Sequence, residues 1–135
     1  MWWSEFVSNQ KYSPPMNTLL LSQYGIVFEK CSNGNIHTTA NSKNLDNFMY
    51  MFARQRMQLE NFVLTIDKVL NGNYNTIAYD NREWSQEIGL QVYTGIIQDD
   101  LTFDLFLEDN YDQTKETYPL SDIKKIFQSL LEFIP

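Results

Sequence analysis

The stretch from Asn44 to Gly72, NLDNFMYMFARQRMQLENFVLTIDKVLNG, decides how the rest of the chain is read. Leu45, Phe48, Met49, Phe52, Leu59, Phe62, Val63, Ile66 and Leu70 recur at helical spacing and fall on one broad apolar stripe of a 3.6-residue wheel. Ser42 or Asn44 can cap the first free amides, and Asn71-Gly72 supplies a residue able to take the left-handed conformation that ends a helix. The reading is one long helix, about 39 Å from Leu45 to Leu70 if unbroken, with room for a bend near Gln55. Arg56 falls within the stripe; its stem can cover apolar surface while its head pairs with Glu60 one turn later.

A stripe of that length needs covering, and the flanking segments supply the cover. Downstream, three strands are expected at Tyr74 to Tyr79, Glu87 to Ile97 and Leu101 to Glu108. Ile88, Leu90, Val92 and Ile96 alternate onto one face of the second, and Leu101, Phe103, Leu105 and Leu107 onto one face of the third. Gln98-Asp99-Asp100 joins these two as a hairpin. Asn110 to Thr117 reads as a polar loop, and after Pro119 a second amphipathic helix, capped by Ser121, runs through Ile123, Ile126, Phe127, Leu130 and Ile134. Upstream, Gly25 to Cys31 and Asn35 to Ala40 read as paired strands around the Asn33-Gly34 turn. Trp2, Trp3, Phe6 and Val7 suit a short helix, broken by Lys11 to Pro15. The expected fold is α+β in a single domain, residues 1-135: an antiparallel sheet of about five strands packed on a long central helix and a C-terminal helix.

Length and composition suit a domain that folds without staples: 135 residues, 43% apolar, with a single cysteine, Cys31, that excludes an internal disulfide. No apolar run is long enough to span a bilayer. Met1-Trp2-Trp3-Ser4-Glu5 lacks the basic region and apolar core of a signal peptide, so a cytoplasmic protein is expected. Net charge is −7, and its placement is uneven. Met1 to Tyr79 carries five acids and six bases, whereas Asp80 to Glu116 carries ten acids against Arg82 and Lys115. Such a surface argues against direct binding to nucleic acid, where lysine and arginine must displace counterions. A basic partner is its natural complement.

Motifs for catalysis are missing. One histidine, His37, and one cysteine make no zinc cluster, and the five glycines form neither a phosphate loop nor a dinucleotide fingerprint. Cys31 and His37 flank one hairpin, a position that needs no catalytic reason. Asp99, Asp100, Asp104, Glu108, Asp109 and Asp112 lack the spacing and glycine of a calcium loop, and aspartates in a turn serve local hydrogen bonds. No metal and no cofactor are expected.

The informative feature is the presentation of this acid. With Leu101, Phe103, Leu105 and Leu107 turned to the core, Thr102, Asp104, Phe106 and Glu108 line the opposite face, beside Gln91 and Tyr93 on the neighbouring strand. Tyr93, Asp99, Asp100, Asp104, Phe106, Glu108, Asp109 and Asp112 are therefore the candidate partner-binding residues: carboxylates to steer and pair, aromatics to anchor. The competing reading is a solvated face, or one covered by the N-terminal segment with Phe106 in a second small core.

In size, acidity and lack of catalytic or export motifs the chain resembles the small acidic immunity proteins of bacterial toxin systems such as contact-dependent growth inhibition. That resemblance implies a non-enzymatic cytoplasmic inhibitor, held tightly on a cognate basic toxin domain such as a nuclease. Alternatives are a DNA-mimicking inhibitor of phage or plasmid origin, a small carboxylate or metal enzyme, and a subunit of a larger assembly, with Trp2 and Trp3 available for a homodimer contact.

Overall fold

In the computed structural model, which describes residues 15–135, the organising stripe is divided between two helices, α2 (Lys43–Phe52) and α3 (Arg56–Leu70). On a straight helix Phe52 and Phe62 would lie about 15 Å apart along the axis, yet their rings stack at 4.8 Å. The chain turns at Ala53 to Gln55, through amides bonded three residues back (Arg54 N to Met51 O, Gln55 N to Phe52 O), so that both halves of the stripe meet in one core. Arg54 folds back over the Tyr50 ring at 3.8 Å. The Arg56 pairing with Glu60 is present at 3.3 Å, both side chains being about half exposed; Arg56 also donates to the carbonyls of Ile134 and Pro135.

The ends of the pair follow from local chemistry. Ser42 Oγ accepts from Leu45 N and caps α2. Asn44 is instead buried inside the helix, donating its amide to Thr114 O at 2.8 Å and Leu105 O at 3.4 Å, which ties α2 to the sheet. At the other end Gly72, with φ +89°, closes α3: Gly72 N bonds Val69 O and Asn73 N bonds Lys68 O.

The remaining elements are α1 (Pro15–Gln23), β1 (Val27–Lys30), β2 (Ile36–Thr39), β3 (Glu83–Ile88), β4 (Gln91–Ile97), β5 (Thr102–Leu107), α4 (Tyr111–Thr114), β6 (Glu116–Pro119) and α5 (Leu120–Phe133). The α+β class stands, but the sheet is not one of five strands. A four-stranded antiparallel meander, β3-β4-β5-β6, is separate from the two-stranded β1-β2 hairpin. Strands were expected at Tyr74 to Tyr79 and a loop at Asn110 to Thr117; both differ. Tyr74–Thr76 and Tyr79–Asn81 are single helical turns pinned by Arg82, which covers the Tyr74 ring at 4.0 Å and donates to Ile77 O at 3.0 Å. Local side-chain bonds such as Thr76 Oγ1 to Asn73 O compete there with ladder formation. The end of the polar segment pairs as β6 against β5. α5 begins at Leu120, so Ser121 is within the helix and does not cap it; Leu120 N bonds Leu101 O instead. α1 fills a segment for which no element was expected, between the breaker that ends at Pro15 and the strand expected from Gly25; Pro15 lies in its first turn, where proline is tolerated. The expected Met1 to Val7 helix lies outside the described residues.

Helices cover one face of the meander. Phe48, Phe52, Phe62, Phe103, Phe127 and Trp84 form an aromatic centre with ring separations of 4.8 to 6.2 Å. Gly95 makes that packing feasible, since a Cβ there would sit 2.0 Å from Phe103 Cζ. Around the edge of the core, Tyr24 donates to Asp122 at 2.7 Å, and Tyr118 and Ser42 both donate to Glu116 Oε1.

Two stability predictions arise here. Burial, then the bond to Asp122 and its charge, push the Tyr24 hydroxyl up to about 12. Burial above all pushes Tyr118 higher still; the Ser42 bond opposes it, and the Glu116 bond and charge, then the Tyr24 charge, add to it. The folded chain keeps these protons where the unfolded chain, with tyrosine near 10, loses them. The stabilisation is complete below about pH 10 and is lost as pH rises towards the folded values. Melting temperature is expected to fall steeply above about pH 10, and Tyr24→Phe with Tyr118→Phe to flatten the slope; an unchanged slope in the double variant would contradict this. The second concerns the β4-β5 connection, where Leu101 holds φ +66°. An L-residue with a Cβ pays for that conformation, so Leu101→Gly is expected to raise stability by about 0.5–1 kcal/mol in urea unfolding, the lost strain exceeding the added chain entropy.

Candidate functional site

β4 exchanges the faces assigned to it. Gly89, at φ +61°, opens a two-residue turn with Leu90 between Ile88 and Gln91, so 87–97 is a hairpin and not one strand. Leu90 is fully exposed in that turn. The inward residues of β4 are Tyr93, Gly95 and Ile97, opposite Leu107, Leu105 and Phe103. Tyr93 is therefore a core residue, 1% exposed, with its hydroxyl accepting from Asn47 Nδ2 at 2.8 Å and donating to Gln91 Oε1 at 3.2 Å. It leaves the candidate set. The parity error arose because Ile88, Leu90, Val92 and Ile96 alternate correctly only if no turn intervenes.

On β5 the assigned faces hold from Thr102 to Leu107, but Leu101, expected to face the core, is 45% exposed, because its left-handed backbone places it in the turn before the strand. Asp104 and Phe106 point away from the helices, and the register builds the outer face row by row. Glu83, Ile96, Asp104 and Thr117 form one row; Ser85, Thr94 and Phe106 form the next; Glu87 and Val92 pair in a third, and Glu108, in the helical turn that follows β5, lines the same cleft as both. Four carboxylates thus frame Ile96, Thr94, Val92 and Phe106. Strand geometry sets the frame at about 10 Å across three strands and about 13 Å along them.

The candidate residues do not converge on one point. Asp99 and Asp100 are exposed in the β4-β5 turn, where Asp100 accepts from Thr102 Oγ1 at 2.6 Å. Glu108, Asp109 and Asp112 are exposed at the opposite end, roughly 26 Å away along the strand. Asp104 lies between them, half-buried and held by Thr117 Oγ1 at 2.6 Å and Gln98 Nε2 at 3.1 Å. Phe106 is 7% exposed, its ring edge-on to Tyr111 at 4.7 Å. It forms a small second core and does not display an anchor; the aromatic that reaches solvent is Tyr111, 43% exposed, with Lys115 above its ring at 5.5 Å. Tyr111, Glu83 and Glu87 were missed in sequence. The alternation of Glu83, Ser85 and Glu87 was the available signal, but it required the strand to begin before Glu87.

Among the described residues no three His, Cys, Asp or Glu side chains converge closely enough to hold a metal ion. His37 lies opposite Glu29 in the β1-β2 register, and Cys31 N bonds Asn35 O, so Cys31 and His37 are not cross-strand neighbours. No helix among the described residues is long and apolar enough to cross a membrane. Comparison with protein-family models, curated proteins and solved structures finds no match.

Proposed function

We propose that this chain is a protein inhibitor of the immunity type, which binds a cognate basic toxin domain and neutralises it without catalysis. The observation that carries this reading is the outer sheet face, where Glu83, Glu87, Asp104 and Glu108 frame a partly apolar centre. Protein interfaces favour that arrangement: a core that excludes water, and a charged rim that accelerates encounter and rejects wrong partners. Asp99, Asp100, Asp109 and Asp112 extend the negative field at both ends of β5, and Tyr111 supplies an exposed anchor. A nuclease toxin, with a basic surface for its substrate, fits this field. A DNA mimic would call for longer rows of carboxylates than a four-cornered frame.

Affinity capture from the native lysate, washed at increasing salt, tests the proposal. The expected result is one basic protein, stoichiometric with the bait, released by salt and toxic when expressed alone. Recovery of only acidic or neutral proteins, or of none from a lysate containing the neighbouring gene products, would sink it.

A further inference from the structure

β3 is an edge strand of the meander, and its outer side has no strand partner among the described residues. Ile97 N bonds Arg82 O, and pairing alternates from there through Trp84, Gln86 and Ile88. The amides and carbonyls of Glu83, Ser85 and Glu87 therefore point away from the sheet, a ready template for another strand. Along this edge runs an open cleft of about 540 Å³, lined by Met51, Gln55, Gln58, Gln86, Glu87 and Glu108 among others.

One buried polar atom in the cleft is unsatisfied, and a neighbouring side-chain amide makes no bond to the described residues. Gln55 Oε1 is buried and has no hydrogen-bond partner. Gln86 is 3% exposed, and its side-chain amide bonds to none of the described residues. Buried polar groups are ordinarily paired, because an unpaired one loses its hydration with nothing in return. That Gln55 oxygen, with the Gln86 amide oxygen and the Glu87 and Glu108 carboxylates lining the same cleft, offers several acceptors to a multivalent cationic donor. A guanidinium, planar and carrying five N–H groups, matches spread acceptors better than an ammonium.

We infer that the β3 edge and its cleft seat an extended, basic segment of the partner protein, which adds as a strand and inserts an arginine side chain towards Gln55 and Gln86. A second copy of this chain is a poor occupant. Antiparallel pairing about Ser85 would set Glu83 against Glu87 of the copy at both ends, and like charges directly opposite one another destabilise a strand pair. A segment with lysine opposite Glu83 and Glu87 reverses that sign. This inference deepens the proposed inhibitor reading and rests on it, adding the partner's backbone conformation and the side chain that enters.

The test is amide NMR of the whole chain titrated with the capped peptide acetyl-Lys-Arg-Thr-Val-Lys-amide, against the same peptide carrying citrulline, the neutral analogue, in place of arginine. Saturable shifts at Glu83, Ser85, Glu87 and the Gln55 and Gln86 side-chain amides are expected, with citrulline binding about tenfold more weakly. Gln55→Leu should weaken the arginine peptide similarly while keeping or raising the melting temperature. Equal binding of the citrulline peptide, or no shift at the edge up to millimolar peptide, overturns the inference. Shifts confined to Asp104, Phe106 and Asp112 overturn the edge seat alone and leave the acidic-face reading standing. Edge shifts that depend on protein concentration without peptide would assign the edge to a second copy and overturn it too. The capture experiment judges the inhibitor reading separately.

Discussion

Phe62→Ala should cost about 3–5 kcal/mol, the range for removing a buried aromatic side chain, and lower the melting temperature by about 10–20 °C. The Phe62 ring is fully buried and meets five others: Phe52 at 4.8 Å, Trp84 at 5.1 Å, Phe127 at 5.2 Å, Phe103 at 5.7 Å and Phe48 at 5.9 Å. Those partners come from α2, β3, α5 and β5, so no single element can move to fill the void. Against a total stability of about 5–15 kcal/mol, that loss is a large fraction. Leu64→Ala on the exposed side of the same helix should change stability by less than about 0.5 kcal/mol. Urea unfolding of both variants is the check. Similar losses in the two would show that the core is not organised around this ring.

The second large effect is on binding. Asp104→Lys with Glu108→Lys is expected to weaken the complex with the proposed toxin by about a hundredfold or more, counting roughly 1.5 kcal/mol for each close charge pair lost. Much of the change should appear in the association rate and in a shallower salt dependence, because these are rim charges. The two positions differ in what they do for the fold. Glu108 is exposed and makes no side-chain bond among the described residues, whereas Asp104 accepts from Thr117 and Gln98. Asp104→Lys therefore carries a folding cost of about 1–2 kcal/mol that Glu108→Lys does not. Calorimetric titration of each single variant beside a melt separates the two effects. Unchanged affinity in Glu108→Lys, with the fold intact, would remove this end of the face from the interface.

What was legible in the sequence follows a pattern of range. The helical stripe of 44–72, its glycine stop, the Asn33-Gly34 hairpin, the outward set on β5 and the final amphipathic helix all rest on residues within a few positions of one another. Their periodicity and turn chemistry act locally, so a one-dimensional reading captures them. The clustering of acid in 80–116 is likewise a property of order along the chain.

The tertiary structure decided the rest. The long helix breaks at Ala53 to Gln55 because two halves folded together bury Phe52 on Phe62, a gain made only across space. Tyr93 is inward because a turn at Gly89 and pairing with β5 set its parity, and a slip of one residue moves a whole strand to the other face. β6 forms because β5 offers it an edge. The frame takes Glu83, Glu87 and Asp104 from strands whose alignment is fixed by cross-strand register, and Glu108 from the turn that follows β5. Local patterns declare which surfaces must be buried; only the competition among those surfaces for one core determines which residues are left to face a partner.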